Sequence, residues 1–184
     1  RKTLGTAAGR AKYRATLAEA AQDDSSSSGA RTAEQKAALA GEGHFLSGRK
    51  ALSEGEFTAA LEAFDLALEA SPQEPSYLAH RAWTMYCSNP DANRQHAIAE
   101  LNTTRALDSS YPGVSYFLGR ICLDDGANDI ALGYFEMALR ADPDFREAQQ
   151  YRQLTKSKIH ASRQTAAAPK KEGGRLSRLF RRKK

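Results

Sequence analysis

At 184 residues the chain can hold one domain of ordinary size with a tail at either end. With 41% apolar and 27% charged residues it has the composition of a soluble globular protein, and no run approaches the roughly 18 apolar residues of a membrane span. The net charge of +5 is a sum of unlike parts. Residues 1–31 carry six Lys/Arg against three Asp/Glu, residues 32–155 ten against eighteen and residues 156–184 eleven against one, which sets an acidic body of −8 between ends of +3 and +10.

The chain starts at Arg1 rather than at Met, with no short apolar stretch after a basic start. A fragment of a longer chain is therefore expected, and no secretory signal is read. Within residues 1–21, a short helical leader, the run TLGTAAGRAKYRATL places Leu4, Arg10, Tyr13 and Leu17 at intervals similar to those of the last part of a J domain. The match covers about fifteen residues and departs where Arg14 replaces the customary Asp. The resemblance implies a His-Pro-Asp loop upstream of Arg1 and a heat-shock ATPase chaperone as partner; the other reading is a short basic helix in a flexible leader. Residues 22–31, QDDSSSSGAR, read as a Ser-rich linker.

A repeat dominates residues 32–160. At an offset of 71, GRKALSEGEFTAALEAFDLALEASP (48–72) and GRICLDDGANDIALGYFEMALRADP (119–143) share eleven of 25 positions, where random matching gives roughly one or two. The shared residues include Gly48/Gly119, Gly55/Gly126, Ala60/Ala131, Phe64/Phe135, Ala67/Ala138 and Pro72/Pro143. An offset of twice 34 plus three predicts a degenerate unit with a three-residue insertion between them. Ala82 falls 34 after Gly48, while Ala97, Leu101 and Thr104 fall 37 after Ala60, Phe64 and Ala67.

These columns resemble the tetratricopeptide repeat family. The resemblance predicts an all-α fold: an α-solenoid of three helical hairpins, at about 41–74, 75–111 and 112–143, closed by a capping helix at 144–159. Small residues at Gly48, Ala82 and Gly119 let paired helices approach, and Phe64, Leu101 and Phe135 fill the space between hairpins. Gly55 and Gly126 end the first helix of their units, and Pro72 and Pro143 stop the second. The middle unit has Asn89-Pro90-Asp91 in place of the turn glycine, which predicts a longer turn. Thr32 is expected to cap a first helix running to about Glu54. Phe145, Ala148, Tyr151 and Leu154 are expected to form the apolar face of the capping helix.

In this family the first helix of each pair lines a concave peptide-binding groove. By register the groove residues are Phe45, Arg49 and Leu52, then Ala79, Trp83 and Tyr86, then Tyr116, Arg120 and Leu123. Aromatic and Arg side chains carry most interface energy, which makes Trp83 and Tyr86 the first choice for the binding hot spot and an acidic peptide with apolar anchors the expected ligand. The alternative is that these aromatics pack between helices or under the cap and that the arginines pair with nearby carboxylates. One subclass holds the C-terminal carboxylate of heat-shock chaperones with Lys and Asn. The matching columns here, Phe45, Ala79 and Tyr116 with Arg49, Trp83 and Arg120, contain neither, so no such clamp is expected.

Residues 161–184 read as a disordered basic tail in which Leu176, Leu179 and Phe180 share a helical face among Arg175, Arg178, Arg181, Arg182, Lys183 and Lys184. The pattern fits weak contact with an anionic membrane surface or nucleic acid. It fits equally a solubilising tail folded on the acidic repeats. Cys87 and Cys122, without CxxC spacing, point to a reducing cytoplasm and away from zinc. His44, His80, His96 and His160 are scattered, and neither a nucleophile motif nor a phosphate loop is present, so neither catalysis nor a cofactor is expected. The function expected is a protein-interaction scaffold for a peptide or protein partner; the rivals are a J-domain co-chaperone and a tail-mediated binder of membranes or nucleic acid.

Overall fold

The computed structural model describes Thr32 and residues 35–167. The stretch likened to a J domain, the linker at 22–31 and the basic residues from Arg175 to Lys184 lie outside the described residues. What is described is all-helical: α1 (residues 35–54), α2 (Phe57–Ala70), α3 (Pro75–Ser88), α4 (Pro90–Leu107), α5 (Pro112–Asp124), α6 (Asn128–Ala141) and α7 (Arg146–Ala167). Contacts divide these helices into two compact units, one ending at Val114 and the other beginning at Ser115.

In the first unit α1 and α2 form a hairpin whose turn is set by Gly55. Its φ of +81° is a conformation that other residues resist. The Gly55 N–H donates to Leu52 O and the Glu56 N–H to Ala51 O at 3.2 and 2.9 Å, the paired bonds that close a helix in a Schellman motif. In the second unit Gly126, at φ +75°, repeats both bonds, with Gly126 N–H to Leu123 O and Ala127 N–H to Cys122 O at 3.1 and 2.9 Å. Across each turn a phenyl ring occupies the place where a Cβ would stand. A Cβ on Gly48 would lie 2.7 Å from the Phe64 ring, and one on Gly119 would lie 2.7 Å from that of Phe135. Phe64 and Phe135 are fully buried, flanked on their helices by buried Ala60 and Ala67, and by Ala131 and Ala138.

The middle hairpin corrects one expectation. Its turn is not longer but shorter, since Asn89 alone separates α3 from α4. The three inserted residues go into helix instead: α4 has 18 residues where α2 and α6 have 14. Pro90 keeps the preceding residue out of the helical conformation and occupies the first helical position, where its missing N–H costs nothing. Asn89 Oδ1 accepts from the Ala92 N–H at 3.1 Å, and Asn93 Nδ2 donates to Met85 O at 2.9 Å across the turn. Ala82 and Leu101 replace the Gly and Phe of the other hairpins, a methyl gained on one helix against a ring lost on its partner, and both are fully buried. Thr104, in the alanine column, is buried because its hydroxyl donates to Glu100 O at 2.9 Å.

The second helices of the three hairpins close alike. Ser71, Asp108 and Asp142 leave the helical conformation, with φ between −137° and −143°, and donate their N–H to Ala67 O, Thr104 O and Ala138 O. Two further expectations change at the ends. Thr32 is itself helical rather than a cap. The final helix begins at Arg146 and continues to Ala167, past the expected end at 159 and into the stretch read as tail. On it Leu154 is 46% exposed and Thr155 is buried, because Thr155 lies seven residues from buried Ala148 and satisfies its hydroxyl on Tyr151 O at 2.7 Å.

The ring-for-Cβ arrangement has a measurable consequence. Gly48→Ala is expected to destabilise the chain by about 1–3 kcal/mol. Combining it with Phe64→Leu, which recreates the Ala82/Leu101 pairing, should cost less than the sum of the two single changes in urea unfolding. Strict additivity would refute the coupling.

Candidate functional site

The sequence assigned nine groove residues to the first helices of the three hairpins, and the structure changes the expected outward aspect of most of them. Phe45, Ala79, Trp83, Tyr86, Tyr116 and Leu123 are buried, and Leu52 is half-buried against the core around Phe45 and Phe64. Arg49 is exposed and Arg120 half-buried. For the aromatic members the reason is the width of the rings, which turn from the helix surface into the nearest packed layer rather than stand in water.

In the first unit Phe45 is the centre of an aromatic layer. Its ring lies 4.8 Å from Tyr77, 5.8 Å from Phe64 and 4.9 Å from the His80 imidazole, which meets it edge-on. The Tyr77 hydroxyl donates to Glu42 Oε2 at 3.2 Å. Over the outer side of this layer the Arg49 guanidinium stands 5.8 Å from the Phe45 centroid. Among the described residues Arg49 makes no ion pair. It is electrostatically coupled to Tyr111, whose ring covers Gly113 and whose hydroxyl is pushed up to about 12 by burial, with Arg49 acting in the opposite sense and Glu74 adding to the rise. Trp83 and Tyr86 stack at 5.4 Å. Arg81 ties three helices together, donating from Nε to Asp65 at 2.6 Å and from Nη1 to Glu100 at 3.0 Å.

The second unit repeats the Arg-on-ring pair and then closes it. Arg120 donates from Nη1 to the Tyr116 hydroxyl at 3.0 Å and lies 4.2 Å from the Tyr151 centroid on α7. Tyr116 in turn packs against Phe145 at 5.1 Å and Tyr151 at 5.7 Å. Burial raises the Tyr116 phenol, and Arg120 opposes the rise. Equivalent residues of the two matching repeats thus differ: Arg49 is open to solvent, while Arg120 is engaged by the capping helix.

Sequence reasoning did not single out His80, Tyr111 or the Arg120 contact of Tyr151. His80 could have been found, since it shares a column with the apolar Leu46 and Phe117 at offsets of 34 and 71. Among the described residues no group of three His, Cys, Asp or Glu side chains could hold a metal ion, and no helix is long and apolar enough to cross a membrane.

No family model and no curated protein matches the sequence. Solved structures do match it. The chain is similar to the Sgt2 TPR domain from Aspergillus fumigatus, with 20% identity over 76% of this chain and 91% of that one and a TM-score of 0.59. It is similar to the first TPR domain of human RPAP3, with 17% identity over 68% and 97% and a TM-score of 0.55. It is also similar to the first TPR of Spaghetti (RPAP3) bound to the HSP90 peptide SRMEEVD, with 19% identity over 67% and 95% and a TM-score of 0.52. The fold is that of the tetratricopeptide repeat domains.

Two predictions follow from burial. Trp83→Ala should cost about 3–5 kcal/mol in chemical denaturation, as core truncations do, whereas Arg49→Ala should stay within about 0.5 kcal/mol. His80 is held neutral: burial brings its pKa down to about 4, Arg49 adds to the fall, and the bond to Ser76 O opposes it. The unfolded chain takes up this proton near pH 6.5 and the folded chain does not, so stability present above 6.5 is lost as pH falls towards 4, by about 3 kcal/mol. The melting temperature of His80→Gln should decline less over that interval than that of the natural chain.

Proposed function

We propose that the chain is a protein-interaction scaffold of the tetratricopeptide repeat kind, and that α1 receives an acidic residue of a partner peptide at Arg49. The observation that carries this reading is the exposed guanidinium over the Phe45 ring, without an ion pair among the described residues and with a fixed aromatic layer beneath it. A planar cation held against a ring keeps its N–H edge free for a carboxylate, and such charge-assisted bonds are the stronger kind. The likeness to domains of which one holds a bound peptide supports the binding role. Arg120, in the other unit, is already engaged by Tyr116 and Tyr151. Phe45 shapes this face from beneath, and Trp83 and Tyr86 act as core rather than as hot spot.

The columns that hold a terminal carboxylate in the chaperone-binding subclass lack Lys and Asn here, so this partner is read as an internal acidic segment rather than a chaperone C-terminus. Fluorescence anisotropy with labelled peptides that alternate Glu with Leu or Phe tests the first part. Arg49→Ala should weaken binding about tenfold without moving the melting temperature, and unchanged affinity would remove Arg49 from the site. A peptide ending in Glu-Glu-Val-Asp tests the second; saturable binding that needs its free carboxylate would overturn it.

A further inference from the structure

The first helix exposes an apolar stripe that its repeat register marks for burial. Leu39 is 75% exposed and Leu46 53% exposed on one face of α1, and between them a Cβ added to Gly43 would meet nothing within 4 Å. In the repeat, Gly43 shares a column with Tyr77 and Val114, and Leu46 with His80 and Phe117, at offsets of 34 and 71. Tyr77, Val114 and Phe117 are buried. For His80 the covering element is visible: its imidazole lies 5.9 Å from the Phe64 ring on the helix that precedes α3, and the neighbouring Arg81 reaches Asp65 of that same helix. The column of Leu46 is therefore the one that packs on the second helix of a preceding hairpin. On α1 it stands open.

The chain itself holds a segment fitted to that place. Gly9, Tyr13, Thr16 and Leu17 are spaced by four, three and one. The same spacing carries Ala60, Phe64, Ala67 and Leu68 in α2, and Ala131, Phe135, Ala138 and Leu139 in α6. The two unusual members have counterparts as well: Thr16 falls in the column where the middle hairpin has Thr104, and Gly9 is small as the column requires. We propose that the segment around residues 9–17 covers the Leu39–Leu46 face of α1, in the role that α2 plays towards α3. Ten linker residues, 22–31, reach roughly 33 Å when extended. That exceeds the about 21 Å length of a fourteen-residue helix, so the segment can return alongside α1. Under this assignment Tyr13 and Leu17, the residues that resemble the end of a J domain, are instead part of the repeat body.

Hydrogen exchange of the full chain, read by mass spectrometry on fragments, tests the assignment. Amides of residues 9–17 should exchange at least about tenfold more slowly than those of the 22–31 linker. Leu39→Glu with Leu46→Glu should remove that protection while leaving the exchange of α3 and α4 unchanged; both leucines are exposed, so the folded body tolerates the change. The reciprocal pair Tyr13→Asp with Leu17→Asp should have the same effect on the segment. Exchange of residues 9–17 at the unprotected rate would overturn the proposal, as would protection that survives Leu39→Glu with Leu46→Glu. Protection that appears only as the chain dimerises in sedimentation would assign the face to a second copy, and would overturn it too.

Discussion

The hairpins depend on one contact: an aromatic ring lying where a side chain would otherwise begin. Phe64 fills the space above Gly48 and Phe135 the space above Gly119, so close that a Cβ would stand 2.7 Å from each ring. Burying a phenyl group is worth about 1.5–3 kcal/mol, and here it also brings two helix backbones together. Neighbouring positions follow from this. The ring can reach the facing helix only if residues four before and three after it are small, which is where Ala60, Ala67, Ala131 and Ala138 stand. The helices can face each other only if the chain reverses within two or three residues, which the positive φ of Gly55 and Gly126 allows. The middle hairpin meets the same constraint differently, with Ala82 opposite Leu101 and an Asn-Pro turn.

Repetition of sequence did not produce repetition of chemistry. Phe45 with Arg49 and Tyr116 with Arg120 occupy matching columns, and each Arg lies over the ring four residues before it at 5.8 and 5.9 Å. What differs is the company each keeps. Tyr151 of α7 covers Arg120 and the Tyr116 hydroxyl accepts a hydrogen bond from it, so that charge is occupied within the unit. Phe45 has no hydroxyl, and the side of Arg49 away from the ring faces solvent. A polar atom present in Tyr116 and absent from Phe45, together with one added helix, separates a half-buried arginine from an exposed one.

Much of the fold was legible because small-residue and aromatic columns constrain each other in a way that leaves a trace in the residues themselves. The turn glycines, the stopping prolines and the buried column of each second helix could be placed from the repeat and the family it resembles. The middle turn could not. An insertion of three residues reads equally as loop or as an extra turn of helix, and Pro90 favoured helix by fitting its first position while Asn89 satisfied the N–H of Ala92. Leu154 was misassigned for a related reason. Spacings of three and four both lie near the helical period, and only packing shows that Thr155 takes the buried place.

The residue pattern determined the interlocking columns, and through the family they resemble the number of hairpins and their register, because each column is a local rule about size and backbone freedom repeated along the chain. It could not determine which members of the outward columns face water. That depends on how far a ring reaches into the layer beneath it and on what other helices bring alongside. Tertiary packing made that decision, burying Phe45, Trp83, Tyr86 and Tyr116, half-burying His80, engaging Arg120 with Tyr151, and leaving Arg49 exposed.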